Sequence, residues 1–520
     1  MIRILVRKEL QSSLLTLRLG AGFVLTVVLS AMAAAVGGLE FEQRSQDCQR
    51  EVDRIRQDLD EATVWSQVQP SVVFMPQPLS VFCRGVDRSA GQLAWIGIDL
   101  IPASLRLVGS ASNDLLKTFV EVDFATVVTV VLSFLAVVLG FDGICGERER
   151  GTLAQVLANP VPRSSLVLAK LLGGVVSLWV PLAVAFVLSL LVALASADLA
   201  LGAADWGRLA CLFVLSCLFL AQVFAFSLMV SALVRDSAVA LIVCLFGWLV
   251  GSVGYMNLLP SFSRYLVREA PYQEFAAQNR ALWEEYGRAV EEWKVQHPGP
   301  GEAYTRGIWD QGRLRYAHPF GYAWLQQQYA FSVERQLEAA QRSFQLSVAN
   351  YAGLAAQARL VDRWAILSPF TNYRALACRL AGTTLDDKFR MLAASHRYRE
   401  TCIQYLRGRE AFASRRWFSD DPPDQEPLIP DPAGLTPAML ADDSPFMKGR
   451  MAWVQQQQER ATRDDRRRLD LSEMPRFAGA PAPTAGEIVQ AVTVGLAVLL
   501  LTGGAAVLVT VLRFGSYDPR

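Results

Sequence analysis

The sequence predicts an all-α membrane protein with six transmembrane helices, an N-terminal interfacial helix and a mostly helical extracytoplasmic domain. Two observations support this fold class. The 520 residues are 52% hydrophobic with a mean hydropathy of +0.25, which is unlike a soluble protein of this length. Six stretches without charged residues are each long enough to cross a hydrocarbon core of roughly 30 Å as a helix. They cover 19–39, 124–141, 171–197, 209–234, 237–263 and 488–512.

The residues before the first stretch carry apolar side chains at helical spacing. Ile2, Val6 and Leu10 share one face, with Arg3 and Arg7 between them. This pattern predicts an amphipathic helix lying in the membrane interface over residues 1–18. A cleaved signal peptide is the alternative, because basic residues also precede an apolar run there, but the run is long for a signal peptide.

Positive charges in the short loops predict the orientation of the chain. The N-terminal residues and the connection between the second and third spans are both basic, so both are expected in the cytoplasm. Both termini then lie inside, and the two long polar segments lie outside. The predicted regions are helix 1–18, span 19–39, extracytoplasmic segment 40–123, span 124–141, cytoplasmic loop 142–170, spans three to five within 171–263, extracytoplasmic domain 264–487, span 488–512 and cytoplasmic tail 513–520.

Four cysteines fall in the two polar segments, where an oxidising environment would allow disulfides. Cys48 and Cys83 lie in the first segment, and Cys378 and Cys402 lie in the second. Pairing within each segment closes the shorter loops, so disulfides Cys48 to Cys83 and Cys378 to Cys402 are expected. The alternative is four buried free thiols.

The larger polar segment has the pattern of helical blocks. Leu337, Phe344 and Tyr351 recur every seven residues among polar ones, which predicts a long amphipathic helix over about 322–362. Its apolar stripe could pack in its own domain, which is favoured, or against a second copy. Proline and glycine clusters predict breaks at 297–301, 420–437 and 475–483.

The charged connection between the second and third spans, residues 142–170, is called the elbow here. Acids and bases alternate through 147–150, which places this turn at or beyond the membrane surface. Thr152 and Gln155 have the spacing of a capping box, and Leu153, Val156 and Leu157 would give a short helix an apolar edge. That edge could enter a groove on a soluble partner while the charges pair at its rim. The alternative is a polar turn without a partner.

Within the elbow, E-R-E-R-G-T-L is followed by L-A-N-P-V-P-R and then by a lysine. This resembles the first cytoplasmic loop of bacterial type-2 ABC transporter permeases. The residues matching by position are Glu147, Glu149, Gly151, Thr152, Leu153, Leu157, Pro160, Arg163 and Lys170. The resemblance implies a coupling helix that docks on a separate ATPase subunit. The candidate coupling residues are Glu147, Arg148, Glu149, Arg150, Gly151, Thr152, Leu153, Val156, Leu157, Pro160, Arg163 and Lys170.

The resemblance also implies the surroundings of such a subunit. It is expected to be a permease of the bacterial inner membrane that dimerises, as a homodimer or heterodimer, and binds two ATPase copies, which would hold ATP and Mg. The stretch 367–389 resembles the subgroup with a large extracytoplasmic domain between the fifth and sixth spans.

Missing motifs narrow the function. The sequence contains no G-x-x-x-x-G-K-[ST] phosphate loop, so a non-catalytic membrane subunit without a cofactor of its own is expected. Three scattered histidines predict no metal site, and a net charge of +1 gives no reason to expect nucleic-acid binding. No span carries a charged residue at its centre, which disfavours a proton-coupled carrier.

Three functions remain open from the sequence. The first is ATP-driven export or extraction of a lipid-like or polymeric substrate, a substrate class that comes from the resemblance alone. The second is ATP-driven mechanotransmission to an extracytoplasmic partner without transport. The third is a passive membrane scaffold or receptor. No substrate-binding residue is predicted.

Overall fold

The computed structural model describes residues 2–14, 16–87, 93–94, 96–97, 122–157, 162–196, 199–266, 272–299, 309–310, 313–314, 319–420, 436–439, 441–463, 468–480 and 483–516. These residues form helices with very little sheet, which confirms the predicted all-α fold class. Six helical segments among them are long and apolar enough to cross a membrane, so the protein is a multi-pass membrane protein. They are Leu17–Asp60, Phe124–Glu149, Arg163–Ala195, Ala203–Leu233, Ser237–Leu259 and Gly486–Gly515.

The bounds of the helices and strands follow in chain order. The α-helices are α1 Ile2–Leu14, α2 Leu17–Asp60, α3 Phe124–Val127, α4 Ser133–Gly140, α5 Cys145–Glu149, α6 Thr152–Leu157, α7 Arg163–Ser196, α8 Ala203–Leu233, α9 Ser237–Leu249, α10 Tyr255–Leu266, α11 Tyr272–Gln296, α12 Pro319–Ala365, α13 Pro369–Ala381, α14 Leu385–Gly408, α15 Pro445–Arg463 and α16 Ala485–Gly515. Turns of π-helix, Val128–Leu132 and Val250–Gly254, join α3 to α4 and α9 to α10. Two antiparallel pairs of two-residue strands are β1 Val72–Val73 with β2 Leu93–Ala94, and β3 Trp309–Asp310 with β4 Arg313–Leu314.

Helix α2 extends well beyond the apolar stretch predicted to end at residue 39. It continues without a break to Asp60, about 30 Å further at 1.5 Å per residue. The extension contains helix-compatible ion pairs between neighbouring turns, such as Arg50 Nη1 to Asp47 Oδ1 at 3.1 Å. The charged residues therefore mark where the helix leaves the apolar layer, and they do not end it.

Helix α8 is the central element of the apolar core. It contacts α4, α7, α13 and α16. Its residues Phe219 and Leu220 are fully buried, as are Leu178 and Leu182 on α7. Side chains of this size inside one continuous cluster hold the spans together by apolar burial and close packing.

Helix α13 differs from the sequence prediction, which assigned all of 264–487 to one polar domain. The structure places α13 among the spans. Its Tyr373 stacks on Phe219 with ring centroids 4.6 Å apart and shares a 2.8 Å hydrogen bond with Ser216 of α8. Asn372 Nδ2 donates to Gly495 O of α16 at 2.9 Å. Ser216 is about 20 Å along α8 from its start, so α13 inserts deeply between two spans.

The remaining large polar segment is built on α12, which pairs with α11. The predicted stripe on α12 packs inside its own chain. Leu337 is buried in a cluster with Ile403 of α14. Further along, the Phe344 ring stacks on His396 with centroids 3.9 Å apart. The preference for packing within one domain is therefore confirmed.

A buried ion cluster ties this segment to α2. Asp87 lies between two cations: its Oδ2 is 2.9 Å from Arg44 Nη1 of α2, and its Oδ1 is 2.8 Å from Lys388 Nζ of α14. We call these three residues the Asp87 cluster. The side chains of Asp87 and Lys388 are only 2% and 4% exposed. The charges of Asp87 and Lys388 are thus stabilised by ion pairing and not by water.

Candidate functional site

The elbow begins with a turn that is fixed to the end of α8. The backbone N–H groups of Ile144 and Cys145 both donate to Ser231 Oγ, at 3.0 and 3.1 Å. Helix α5 then runs to Glu149. Gly151 follows with φ of 70°, a left-handed conformation that glycine adopts at little cost. The chain turns there and enters α6.

A second buried ion cluster fixes the elbow to the N-terminal helix and to α7. Lys170 Nζ lies 2.7 Å from Glu147 Oε1 and 3.3 Å from Glu9 Oε1. We call these three residues the Lys170 cluster. The side chain of Lys170 is 6% exposed, while those of Glu147 and Glu9 are 16% and 15% exposed. Helix α1 is thereby attached both to α5 and to α7.

Glu149 and Arg148 attach the elbow to the fourth-to-fifth turn. Glu149 accepts hydrogen bonds from Ser237 N at 2.6 Å and from Ser237 Oγ at 2.7 Å, at the start of α9. A carboxylate is stabilised there by the unpaired N–H groups and the helix dipole. Arg148 Nη1 donates to Val234 O, the carbonyl that follows α8, at 3.4 Å. The charged side chains of Arg148 and Glu149 therefore bind the ends of helices in the same chain.

Arg163 makes a matching contact at the end of the last span. Its Nη1 donates to Gly515 O at 2.6 Å, at the C-terminal end of α16. A cation at a helix C-terminus is favoured by the last carbonyls and the dipole. Arg150 differs, since its Nε donates to Gly146 O at 2.9 Å within the elbow.

The described exposed residues of α6 and of the turn before it are polar or glycine. Gly151, Thr152 and Gln155 are exposed, whereas Leu153 is 2% exposed and belongs to the apolar core. The sequence placed Leu153 on a docking edge, and that placement is wrong because its side chain faces the spans. Val156 and Leu157 lie in α6 but their side chains are outside the described residues, as is all of Pro160.

The capping box at the start of α6 stays a prediction, and the described contact of Thr152 is with α5. Thr152 is the first residue of the helix and its Oγ1 donates to Glu147 O at 3.2 Å. The residue that precedes the helix is Gly151, whose conformation reverses the chain. Thr152 thus links α6 to α5.

Sequence reasoning missed Glu9, Ser231 and Ser237, which complete the anchoring of the elbow. A signal was present for Glu9, because it is the only acidic residue before residue 40. Ser231 and Ser237 gave no such signal, since serine is common in apolar helices and their partners are more than eighty positions away.

The cysteines do not pair as expected within the two polar segments. Cys83 Sγ lies 3.3 Å from Cys378 Sγ, across the two segments, and all four cysteines are free thiols in the structure. Cys48 is buried with its Sγ near Phe74 O. Burial raises the pKa of Cys402 to about 11, as expected of an inert thiol. Short loops between cysteines were a poor guide because the fold brings distant turns together.

A comparison with protein families identifies the chain. Residues 3–408, most of the 520, match the family model described as ABC-2 family transporter protein. The chain belongs to this family. It is therefore a permease, a membrane subunit of an ABC transporter, and associates with an ABC ATPase that supplies the ATPase activity as a separate partner. No curated protein matches the permease.

Proposed function

We propose that the exposed face of the elbow is the docking site of the ABC ATPase. In this proposal ATP and Mg bind to the partner, and the permease couples hydrolysis to export or extraction of a lipid-like or polymeric substrate. The observation that supports it is the anchoring of the elbow: Gly151, Thr152 and Gln155 are exposed, while other residues of the elbow are bonded to the ends of several spans.

The anchoring gives a route for force. A push on α6 reaches α7 through the Lys170 cluster, α8 through Ser231, α9 through Glu149 and α16 through Arg163. Closely packed helices respond to such a push by moving as rigid bodies. One small surface can therefore displace most of the membrane domain.

We further propose an orientation of the chain in the membrane and a composition of the transporter complex. The elbow and both termini face the cytoplasm of a bacterium, and 40–123 and 264–487, apart from the inserted helix α13, lie beyond the inner membrane. Two permease chains, identical or not, work with two ATPases. The basic short loops and the family support this arrangement. Labelling in cells tests this orientation. A membrane-impermeant maleimide should label Gln49→Cys in intact cells but should label Gln155→Cys only after the cells are permeabilised. The unsubstituted chain measures the background labelling of the native cysteines.

Photo-cross-linking tests the docking site directly. A photoreactive benzophenone amino acid at Gln155 should cross-link the permease to a copurifying ABC ATPase. The same amino acid at Gln11, exposed on α1 at the same side of the molecule, is the control and should cross-link weakly. Equal yields at both positions, or a product at Gln11 alone, would place the ATPase elsewhere.

A cavity supports a lipid-like substrate. It has a volume of about 490 Å³ and lies between α4, α8, α9 and the start of α13. Its lining is mostly apolar and includes Val137, Val223, Val243, Phe246, Trp248 and Phe370. A cavity of this size and polarity suits an acyl chain.

Filling the cavity tests the substrate class. Val243→Trp should reduce lipid copurifying with the permease and lipid-stimulated ATPase activity of the complex. Ile242→Trp is the control, because Ile242 is 66% exposed on the same helix and does not line the cavity. Native mass spectrometry would show the loss, and equal lipid content in both variants would argue against an acyl chain there.

Mechanotransmission is the second candidate, and the length of α2 favours it. This single helix runs from the elbow side through the apolar layer to the Asp87 cluster. Reconstituted complexes that hydrolyse ATP and change the conformation of 264–487 without moving any lipid would support this candidate over transport. A passive scaffold would copurify with no ATPase.

A further inference from the structure

Two turns that are far apart in sequence are interlocked beside the membrane domain. The first turn, residues 82–87, follows the 3-10 turn Pro78–Val81, and the second, 382–384, separates α13 from α14. Val86 N donates to Thr383 O at 2.9 Å. Thr383 Oγ1 donates to Cys83 O at 3.1 Å. The two backbones are therefore in direct contact.

Gly85 makes this approach possible. It has a φ of 50°, and a Cβ at this position would lie 2.3 Å from Thr383 O. A side chain would push the turns apart, so glycine is needed both for conformation and for space. The last residue of the first turn, Asp87, forms a salt bridge with Lys388 of α14, with 2.8 Å between Asp87 Oδ1 and Lys388 Nζ.

The interlock brings two thiols together. Cys83 Sγ and Cys378 Sγ lie 3.3 Å apart, although the residues are 295 positions apart in sequence. We propose that Cys83 and Cys378 form a disulfide that joins the two polar segments of the permease. This inference rests on the proposed orientation, because it requires these segments to lie in an oxidising compartment.

The surroundings favour this pair over the within-segment pairs. Hydrogen bonds on both sides hold the backbones that carry the two sulfurs, so bond formation requires only a small movement of side chains. Cys48 instead faces Phe74 O at 3.9 Å, and Cys402 lies in a separate apolar cluster with Ala62 and Val68.

The chemistry is a thiol–disulfide exchange with a disulfide carrier. The Cys378 thiolate attacks one sulfur of the carrier, which forms a mixed disulfide and releases the other carrier sulfur as a thiolate. The Cys83 thiolate then attacks Cys378 Sγ and displaces the carrier as a dithiol. Two protons leave the two cysteine thiols, and two electrons pass to the carrier. Because Cys83 is 1% exposed, this exchange precedes the final closure of the turns.

The bond would fix α13 to the first polar segment. Phe82, next to Cys83, contacts Phe186 of α7 with ring centroids 5.8 Å apart, and α13 packs on α8 and α16. A covalent link at this point makes the inserted helix and the turn before the second span move together when the spans move.

Counting thiols tests the proposal. Native membranes are denatured without reductant, and free thiols are tagged with a polyethylene-glycol maleimide that adds a gel shift per thiol. Of eight cysteines, six should react in the wild type. Cys83→Ser should raise the count to seven, because Cys378 is released. Cys402→Ser, the matched control, should lower it to five. A tryptic peptide 57–84 joined to 375–379 should appear before reduction only.

Eight reactive thiols in the wild type, with seven in each variant, would overturn the disulfide. This result is separable from failure of the proposed function, because labelling at Gln49 reports the orientation independently. If Gln49 is labelled outside and eight thiols still react, the disulfide is lost and the orientation stands. If Gln49 is protected as well, both are lost.

Discussion

The Lys170 cluster and the Asp87 cluster hold opposite sides of the molecule with reversed charges. At the elbow, one cation lies between two carboxylates, Glu147 and Glu9. On the opposite side, one carboxylate lies between two cations, Arg44 and Lys388. The side chains of Glu9 and Glu147 are 15% and 16% exposed, whereas those of Asp87 and Lys388 are nearly inaccessible.

The difference in burial indicates a difference in role. A buried charge that loses its partner has no water to replace it, so the Asp87 cluster is expected to stay intact. Charges that retain some water can separate and re-form at lower cost. In the proposed coupling, the Lys170 cluster is therefore the one expected to rearrange with the ATPase, and the Asp87 cluster is expected to stay intact.

The largest expected effect comes from breaking the Asp87 cluster. Asp87→Asn leaves Lys388 buried without a negative charge, and we expect a loss of about 3–5 kcal/mol in the free energy of unfolding. Thermal unfolding in detergent, followed by size-exclusion chromatography, measures it. Asp47→Asn is the control, since its partner Arg50 is 72% exposed. Equal melting temperatures for Asp87→Asn and Asp47→Asn would show that the buried Asp87 cluster stabilises the fold no more than an exposed ion pair does.

The next effect concerns the Lys170 cluster. Lys170→Met leaves the carboxylates of Glu147 and Glu9 without their cation, and because these side chains are less buried than Asp87 and Lys388 we expect a smaller loss of about 1–3 kcal/mol, with a strong reduction of ATPase activity in the complex. Lys8→Met is the control, because Lys8 is exposed and 3.8 Å from Glu9. If Lys170→Met destabilises the permease more than Asp87→Asn does, then the Lys170 cluster, and not the Asp87 cluster, contributes more to the stability of the fold.

A backbone change at the elbow should have a moderate effect. Gly151→Ala forces alanine into a left-handed conformation at φ 70°, which costs about 1 kcal/mol, although nothing within 4 Å would clash with the new Cβ. Gly151→Asn should cost less, because asparagine tolerates this region better. The melting temperatures of the two variants give the order, and equal values would show that the turn relaxes.

The smallest effect is a pH dependence on the side of the Asp87 cluster. Burial lowers the pKa of His396, with Arg399 acting in the same direction and Glu400 against it. The unfolded chain then binds more protons below about pH 6.5, so stability falls as pH drops through that window. The wild type should lose stability relative to His396→Gln between pH 7 and 5.5. If the melting temperatures of the wild type and of His396→Gln change equally with pH, His396 is not the titrating group.

Much of the fold could be predicted because hydrophobicity and charge act locally. Charge-free stretches mark spans whatever their neighbours are, and the stripe through Leu337 and Phe344 indicates one buried face. The contacts of the candidate functional site were harder to predict from the sequence. The charge pattern of the elbow marked the segment that we propose as the docking site, but the partners of Glu147 and Glu149 depend on which helix ends meet there.

The sequence by itself determined the number of membrane spans, the helical fold class and the position of the elbow, because these follow from transfer free energies of short segments. Only the tertiary structure decided that Leu153 faces inward, that α13 inserts between α8 and α16, and that Cys83 meets Cys378. Each of these depends on contacts between residues far apart in the chain. Their free energy exists only after the spans have packed, so no local pattern encodes it.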